Sequence, residues 1–163
     1  MSGRIAIYPG TFDPITNGHL SIVKRAVKIF DKLVIAILNN PQKRPLFTLD
    51  ERIDMIGKAV KGLHNIEIDT FDGLVVDYAV KKKSNVILRG LRALSDFEYE
   101  FQMALINRKF NHDVQSIFLM TDYKWFYTSS TLIKEAAKLG GDVTGLIPDF
   151  VDRRLKKKVA KNN

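Results

Sequence analysis

The chain has 163 residues, of which 45% are hydrophobic and 27% charged, and these values suit a single globular domain with a core of its own. It contains no cysteine, which excludes a disulfide framework and a thiolate metal site. The formal net charge of +8 raises the possibility of nucleic-acid binding, but six of the basic residues lie between Arg153 and Lys161. We interpret that cluster as the solvated end of a helix.

Short, nearly continuous apolar runs alternate with segments of helical periodicity along the whole chain. In chain order the predicted elements are a strand at 4–8, a helix at 20–30, a strand at 33–38, a helix capped at Thr48, a strand at 66–71, a helix around 74–79, a strand at 86–88, a helix at 95–110, a strand at 116–120, a helix from near Ser129 to Gly140 and a last short helix opened by Pro148.

This alternation predicts an α/β fold, a single-domain Rossmann-like, doubly wound, five-stranded parallel sheet with helices on both faces. In such sheets ligands bind beyond the carboxyl ends of the strands. The longest apolar run, 33–38, is too short to span a bilayer, and the first residues are too short for a signal-peptide core, so we expect a cytoplasmic protein.

The loop after the first predicted strand reads Y-P-G-T-F-D-P-I-T-N-G-H-L and combines two prolines, two glycines and one histidine. Neither of the two common phosphate-loop motifs is present in the chain. Gly10 would leave room for a ligand, and Gly18 and His19 open a helix whose free N–H groups favour an anion. Thr16 or Asn17 is the expected N-cap. The alternative is a capping turn with an incidental histidine.

Three further loops at the same predicted edge carry groups that suit phosphate. Lys43 follows the second strand, and Arg89 and Arg92 follow the fourth. The hydroxyl-rich stretch 128–131 follows the fifth strand at a helix start. Each of these alone is most simply a solvated side chain or an ordinary cap. Their joint placement at one edge indicates a binding site for polyanions.

Three motifs carry a family resemblance. Residues 11–19 match T-x-x-x-x-[HT]-x-G-H, and T-S-S-T-L-I-K at 128–134 occupies the place of a second signature, I-S-S-S-x-x-[RK]. The chain therefore resembles the nucleotidyltransferase superfamily, as a single domain over 1–163 with a basic helical tail from about residue 149. The block R-G-L-R-x-x-x-D-F-E-Y-E, from Arg89 to Glu100, resembles the branch of that superfamily that adenylylates 4′-phosphopantetheine.

The resemblance implies adenylyl transfer from ATP to 4′-phosphopantetheine, a step of coenzyme A biosynthesis. It implies that His19 and Lys43 stabilise the transition state, and that Thr11, Lys43, Val75 and Arg89 bind the acceptor. The residues that it implies for ATP are Thr11, Phe12, His19, Gly90, Leu91, Arg92, Glu100, Trp125, Phe126, Tyr127, Thr128, Ser129, Ser130 and Thr131. Thr128 and Thr131 depart from the commoner I-S-S-S pattern.

The same resemblance implies Mg²⁺ bound through ATP phosphates and water, with no protein metal ligand. It also implies a homohexamer built as a dimer of trimers, with coenzyme A as a feedback inhibitor. Two other functions stay open: nucleotidyl transfer to nicotinamide mononucleotide or a phospho-alcohol, and nucleic-acid binding through the basic tail. The tail has no aromatic residue after Phe150, which counts against nucleic acid and against a stacking surface. We expect no nucleic-acid or membrane partner.

Overall fold

The computed structural model describes residues 3–39 and 44–160, apart from the side chains of residues 94 and 95. Strands and helices alternate along the chain, as the sequence predicts. The elements are β1 (Ile5–Gly10), α1 (Asn17–Ala26), β2 (Lys32–Leu38), α2 (Leu49–Ala59), β3 (Ile66–Phe71), α3 (Val75–Lys81), β4 (Val86–Leu91), α4 (Leu94–Phe110), β5 (Gln115–Met120), a 3₁₀ turn (Tyr123–Trp125), α5 (Ser130–Lys138) and α6 (Asp149–Ala160).

The five strands form one parallel sheet in the order β3-β2-β1-β4-β5. The order reverses between β1 and β4, so the loops that follow these two strands leave the sheet at a switch point, where α/β folds bind ligands. The predicted fold class, a doubly wound Rossmann-like sheet, is confirmed. In the described ranges, with 40–43 excepted, none of the helices is long and apolar enough to cross a membrane.

Alternate residues of the central strands enter two separate cores. Ala6 and Tyr8 belong to the core beneath α1, α2 and α6, whereas Ile7 belongs to the core on the side of α3. The same period of two divides β4: Leu88 lies in the first core and Ile87 in the second. Each loop at the carboxyl edge can therefore present side chains to either face of the sheet.

The predicted end of the fourth strand is wrong. The sequence places Arg89 in a loop after residue 88, but β4 continues to Leu91. An arginine is tolerated inside this strand because Glu100 of α4 forms a bidentate ion pair with it.

The last helix is longer than predicted, and its basic residues are not all solvated. Val151, Leu155 and Val159 are spaced by four residues and are buried in the first core. Arg154 pairs with Asp54, and Nζ of Lys158 lies 2.7 Å from Oε1 of Glu51, both partners being in α2. These contacts dock α6 along α2. Other basic residues of the segment, such as Arg153 and Lys157, are exposed as expected.

Candidate active site

The start of α1 is closed by a capping box in which a histidine takes the place usually held by glutamate. The Thr16 N–H donates to Nδ1 of His19 at 3.0 Å, and the His19 N–H donates to Oγ1 of Thr16 at 3.2 Å. This geometry explains why a threonine precedes the histidine by three residues. The interpretation of His19 as an incidental residue in a turn is therefore incomplete, because its ring is part of the cap.

The cap also determines which ring nitrogen of His19 carries the proton. Because Nδ1 accepts a hydrogen bond from the Thr16 N–H, the proton of the neutral ring lies on Nε2. Burial, and then the positive charge of Arg92, lower the pKa of His19 to about 4. At neutral pH His19 is thus an uncharged ring with one N–H to donate.

The space beside Gly10 is taken by a side chain of the chain itself. A Cβ at Gly10 would lie 2.9 Å from the ring of Phe12, which packs edge-on against Tyr8 and His19. A glycine is needed at position 10 because the Phe12 ring packs there, and not, as we expected, to make room for a ligand. Phe12 is only 2% exposed and has a φ of +49°, so any contact it makes with ATP falls to its backbone.

The loops after β4 and β5 meet the start of α1. Nη1 of Arg92 donates to the Thr128 carbonyl at 3.2 Å, while Nε of Arg92 donates to Asp96 at 3.0 Å. A Cβ at Gly18 would lie 3.5 Å from Cβ of Trp125, which shows how closely the first turn of α1 approaches the 3₁₀ turn. The structure thus brings His19, Arg92 and the stretch after β5 together at one edge.

The hydroxyl-rich stretch contains residues with different surroundings. Thr128 is buried, Ser129 caps α5 by accepting the Leu132 N–H at 3.1 Å, and Ser130 donates to the Pro14 carbonyl at 2.7 Å. Thr131 and Tyr127 are exposed, Tyr127 to 91%. Ser129 and Ser130 therefore hold the start of α5 against the first loop, where its N–H groups face the same edge.

The remaining residues that we predicted to contact ATP differ in burial and in the groups that they expose. Leu91 has a buried side chain, and a Cβ at Gly90 would lie 3.1 Å from the side chain of Ile22. These two residues can therefore offer a ligand only their backbone groups. Thr11 is half-buried, and its carbonyl accepts from Nη1 of Arg52 at 2.9 Å. Phe126 is half-buried beside the 3₁₀ turn.

A pocket opens on the opposite face of the sheet, between β4, α3 and α4. Two predicted acceptor residues, Val75 and Arg89, line it, and so does Glu100. The other lining residues are Pro9, Ile87, Tyr99, Met103, Ala104, Asn107 and Ser116. Asn107 is 8% exposed. Sequence reasoning missed Asn107, because one asparagine on a helix carries no pattern that marks it.

Asp13 is a second residue that sequence reasoning missed. Its carboxylate is 3% exposed, accepts the N–H groups of Leu46 and Phe47 at 2.9 Å each, and pairs with Lys134 of α5. It therefore joins the first loop, the segment before α2 and α5. The only signal in the sequence is an aspartate before a proline within the first motif, which does not reveal these distant partners.

Two expectations remain, the role of Lys43 and the absence of a protein ligand for a metal ion. Lys43 lies outside the described residues. Within 3–39 and 44–160, no group of three or more histidine, aspartate or glutamate side chains is placed to hold a metal ion.

Comparison with known proteins shows which family contains the motifs at this edge of the sheet. A family model described as cytidylyltransferase-like matches residues 7–136, which include all three motifs. The phosphopantetheine adenylyltransferase of Oleidesulfovibrio alaskensis is 60% identical over 156 residues, covering 96% of this chain and 92% of the relative. The chain belongs to the phosphopantetheine adenylyltransferase family.

Further relatives of the same name are similar over equally long stretches. That of Desulfosudis oleivorans is 54% identical and covers 96% of this chain and 93% of its own length. That of Caldanaerobacter subterraneus subsp. tengcongensis is 53% identical, with 98% and 99% covered. The predicted superfamily is confirmed, and the protein is a nucleotidyltransferase.

Proposed function

We propose that the protein transfers the adenylyl group of ATP to 4′-phosphopantetheine, giving dephospho-coenzyme A and pyrophosphate in coenzyme A biosynthesis. The pocket on the α4 side carries this proposal. Arg89 lines this pocket together with the apolar residues Val75 and Met103 and with Asn107. A phosphate joined to a long arm of methylene and amide groups matches that lining. Membership of the phosphopantetheine adenylyltransferase family supports the assignment.

The chemistry needs binding groups and donors more than it needs a base. An oxygen of the acceptor phosphate attacks the α-phosphorus of ATP, and the bond to the oxygen bridging the α- and β-phosphates breaks, so that pyrophosphate leaves. The attacking phosphate is already ionised at neutral pH. The protein therefore has to hold two polyanions in line and stabilise the charge that is redistributed. A neutral His19 with its proton on Nε2 fits the role of a donor to the α-phosphate.

We assign the two substrates to the two faces of the switch point. ATP lies along the starts of α1 and α5, near Arg92 and the stretch 125–131, with Phe12, Gly90 and Leu91 contributing backbone groups. The acceptor phosphate lies between Arg89 and Thr11, with its arm in the pocket. Lys43 is assigned to both the acceptor phosphate and the transition state on the family resemblance alone.

Nucleotidyltransferases work with a divalent metal and a nucleoside triphosphate, and we propose Mg²⁺ as the metal of this protein. The described residues offer no cluster of metal ligands, so phosphate oxygens and water would supply the coordination. Bound in this way, the ion would supply positive charge beside the phosphates. The residues that would border it are those that hold the phosphates, at the starts of α1 and α5.

We also propose that copies of the chain assemble into a hexamer, a dimer of trimers, in the cytoplasm. Support comes from the many large apolar side chains that α4 and the edge strand β5 leave exposed. They are Phe97, Tyr99, Phe101, Leu105, Ile106, Phe110, Ile117 and Met120. A monomer rarely exposes so many large apolar side chains on neighbouring elements. Coenzyme A, which contains the acceptor's arm, would compete for the pocket and act as a feedback inhibitor.

The proposed function is tested by pyrophosphate release with ATP and a panel of acceptors. We expect turnover with 4′-phosphopantetheine and none with pantetheine, which lacks the phosphate that Arg89 would bind. Nicotinamide mononucleotide serves as the control acceptor for another transferase of the superfamily. Comparable rates with pantetheine, or a preference for nicotinamide mononucleotide, would contradict the proposal.

A further inference from the structure

Glu100 forms a bidentate ion pair with one side of the Arg89 guanidinium. Nε of Arg89 donates to Oε2 of Glu100 and Nη2 donates to Oε1, both at 2.6 Å. Nη1 donates to the Pro9 carbonyl at 3.3 Å. This arrangement fixes the plane of the guanidinium between the end of β1 and helix α4.

The remaining N–H bonds of Arg89 lie where a phosphate can use them. A guanidinium has five N–H bonds, and these contacts use three of them. One of the two that remain is on Nη1 and the other on Nη2, and these terminal nitrogens can form a fork for two oxygens of one phosphate. Arg89 also lines the pocket, so this fork borders the volume that the acceptor would fill.

Glu100 is the more buried member of the pair. Its side chain is 12% exposed, whereas that of Arg89 is 30% exposed. A carboxylate buried to this extent is costly unless it is paired, and both of its oxygens are bound to Arg89. The rigid helix α4 holds it in place, so Glu100 can define the position of Arg89 rather than follow it.

We propose that Glu100 is a positioning residue of the acceptor site, which orients Arg89 so that its two remaining N–H bonds bind the acceptor phosphate. This inference rests on the proposed function. It differs from the family resemblance, which implies a contact between Glu100 and ATP. The difference is testable because the two roles affect different substrates.

Glu100→Gln separates the roles. The amide keeps one acceptor oxygen but turns an NH₂ group toward the guanidinium, so Arg89 loses its side-on partner. We expect KM for 4′-phosphopantetheine to rise about ten- to a hundredfold, the range for losing one charge-assisted hydrogen bond, while KM for ATP changes less than about twofold. Glu98→Gln, an exposed residue of the same helix, is the matched control for the change of charge. A rise in KM for ATP alone would overturn the proposal.

A double-mutant cycle shows whether Glu100 acts through Arg89. In an Arg89→Ala background, Glu100→Gln should add little to KM for 4′-phosphopantetheine, because the group that it positions is absent. A full, additive effect in that background would overturn the proposal. If Glu100→Gln melts below the assay temperature, Glu100→Asp replaces it with the same two expectations. Turnover of 4′-phosphopantetheine by the wild type tests the proposed function separately, so the two failures are distinguishable.

Discussion

At the scale of single residues, we propose two tasks for His19, one for each of its ring nitrogens. Nδ1 closes the helix by accepting the Thr16 N–H, and Nε2 is left with the proton. The low pKa of the ring, about 4, keeps it uncharged at neutral pH. A neutral donor is suited to a reaction in which charge moves between phosphates, since it can strengthen its hydrogen bond as the charge develops.

The two tasks of His19 can be separated by substitution with asparagine. Oδ1 of an asparagine at this position can accept the Thr16 N–H, but no group reaches the place of Nε2. We expect His19→Asn to lower the single-turnover rate by about 10²–10³-fold, as for loss of one transition-state donor, with a nearly unchanged melting temperature. His19→Ala should lose both the rate and part of the stability, because it also removes half of the capping box. A wild-type rate in His19→Asn would disprove the catalytic role.

Asp13 shows how a buried charge can organise a site without entering the reaction. Its carboxylate is surrounded by two backbone N–H groups, by the ammonium of Lys134 and by the nearby guanidinium of Arg52, whose pKa is lowered chiefly by burial. Such a carboxylate is stable only while its partners stay in place. The family's second motif therefore contributes Lys134 to the structure of the first loop.

At the scale of the elements, α6 braces the face of the sheet that α1 and α2 cover. Its apolar side chains enter the core that also contains α1 and α2. The segment before it reaches the first turn of α1, because the Asn17 N–H donates to the Leu146 carbonyl at 3.0 Å and the Asn17 amide donates to the Gly145 carbonyl at 2.7 Å. The C-terminal part of the chain thus supports the helix that carries His19.

Truncation after Leu155 tests the brace. It removes Val159, which is 7% exposed, together with the Lys158–Glu51 and Lys156–Asp152 ion pairs. Loss of one buried valine and two partly exposed ion pairs should cost about 2–4 kcal/mol of unfolding free energy, mostly from the valine. We expect a lower melting temperature but an unchanged KM for ATP at a temperature where the protein is folded. Truncation after Ala160 is the control. A rise in KM for ATP in the variant that ends at Leu155, but not in the control, would show that the tail binds nucleotide.

At the scale of the whole molecule, the proposed reaction centre lies at the switch point, beyond the carboxyl ends of β1 and β4. The side chain of Tyr8 in β1 lies on the face of α1 and α2, whereas that of Arg89 in β4 lies on the face of α4. The two proposed substrates would therefore approach the switch point from opposite sides. This arrangement favours an in-line transfer, because attacking and leaving groups have to lie on opposite sides of the phosphorus.

The apolar surface on α4 and β5 predicts how assembly responds to mutation. Leu105 is 53% exposed on α4, and a charge there would have to be buried in any interface that covers this surface. We expect Leu105→Glu to shift the sedimentation profile toward smaller species. Leu139→Glu, at an 89% exposed position outside this surface, should leave the profile unchanged. An unaltered assembly in Leu105→Glu would exclude this surface as the main contact.

The sequence predicts the order of the elements well because buried parallel strands are short apolar runs that differ from helices in period. It misses the last part of β4, since Arg89 belongs in a strand only when Glu100 is known to pair with it. It finds His19 and offers Thr16 as one of two N-caps, but it does not find the His19 ring as the second half of the capping box, because the usual pattern has an acidic or amide residue at this place. Asp13 and Asn107 are missed for a common reason: their surroundings come from elements far away in the chain.

The capping box also has a consequence for how this protein tolerates mutation. A residue that serves only in the reaction can be lost and regained without harm to the fold, but most substitutions of His19 would injure activity and helix start together. Asparagine and glutamine, each one nucleotide change away from histidine in the genetic code, retain a side-chain oxygen that can accept the Thr16 N–H and would spare the helix. If His19 is the proposed donor, such a change would give a folded but inactive protein, and in the proposed hexamer that protein would join active copies in a mixed assembly.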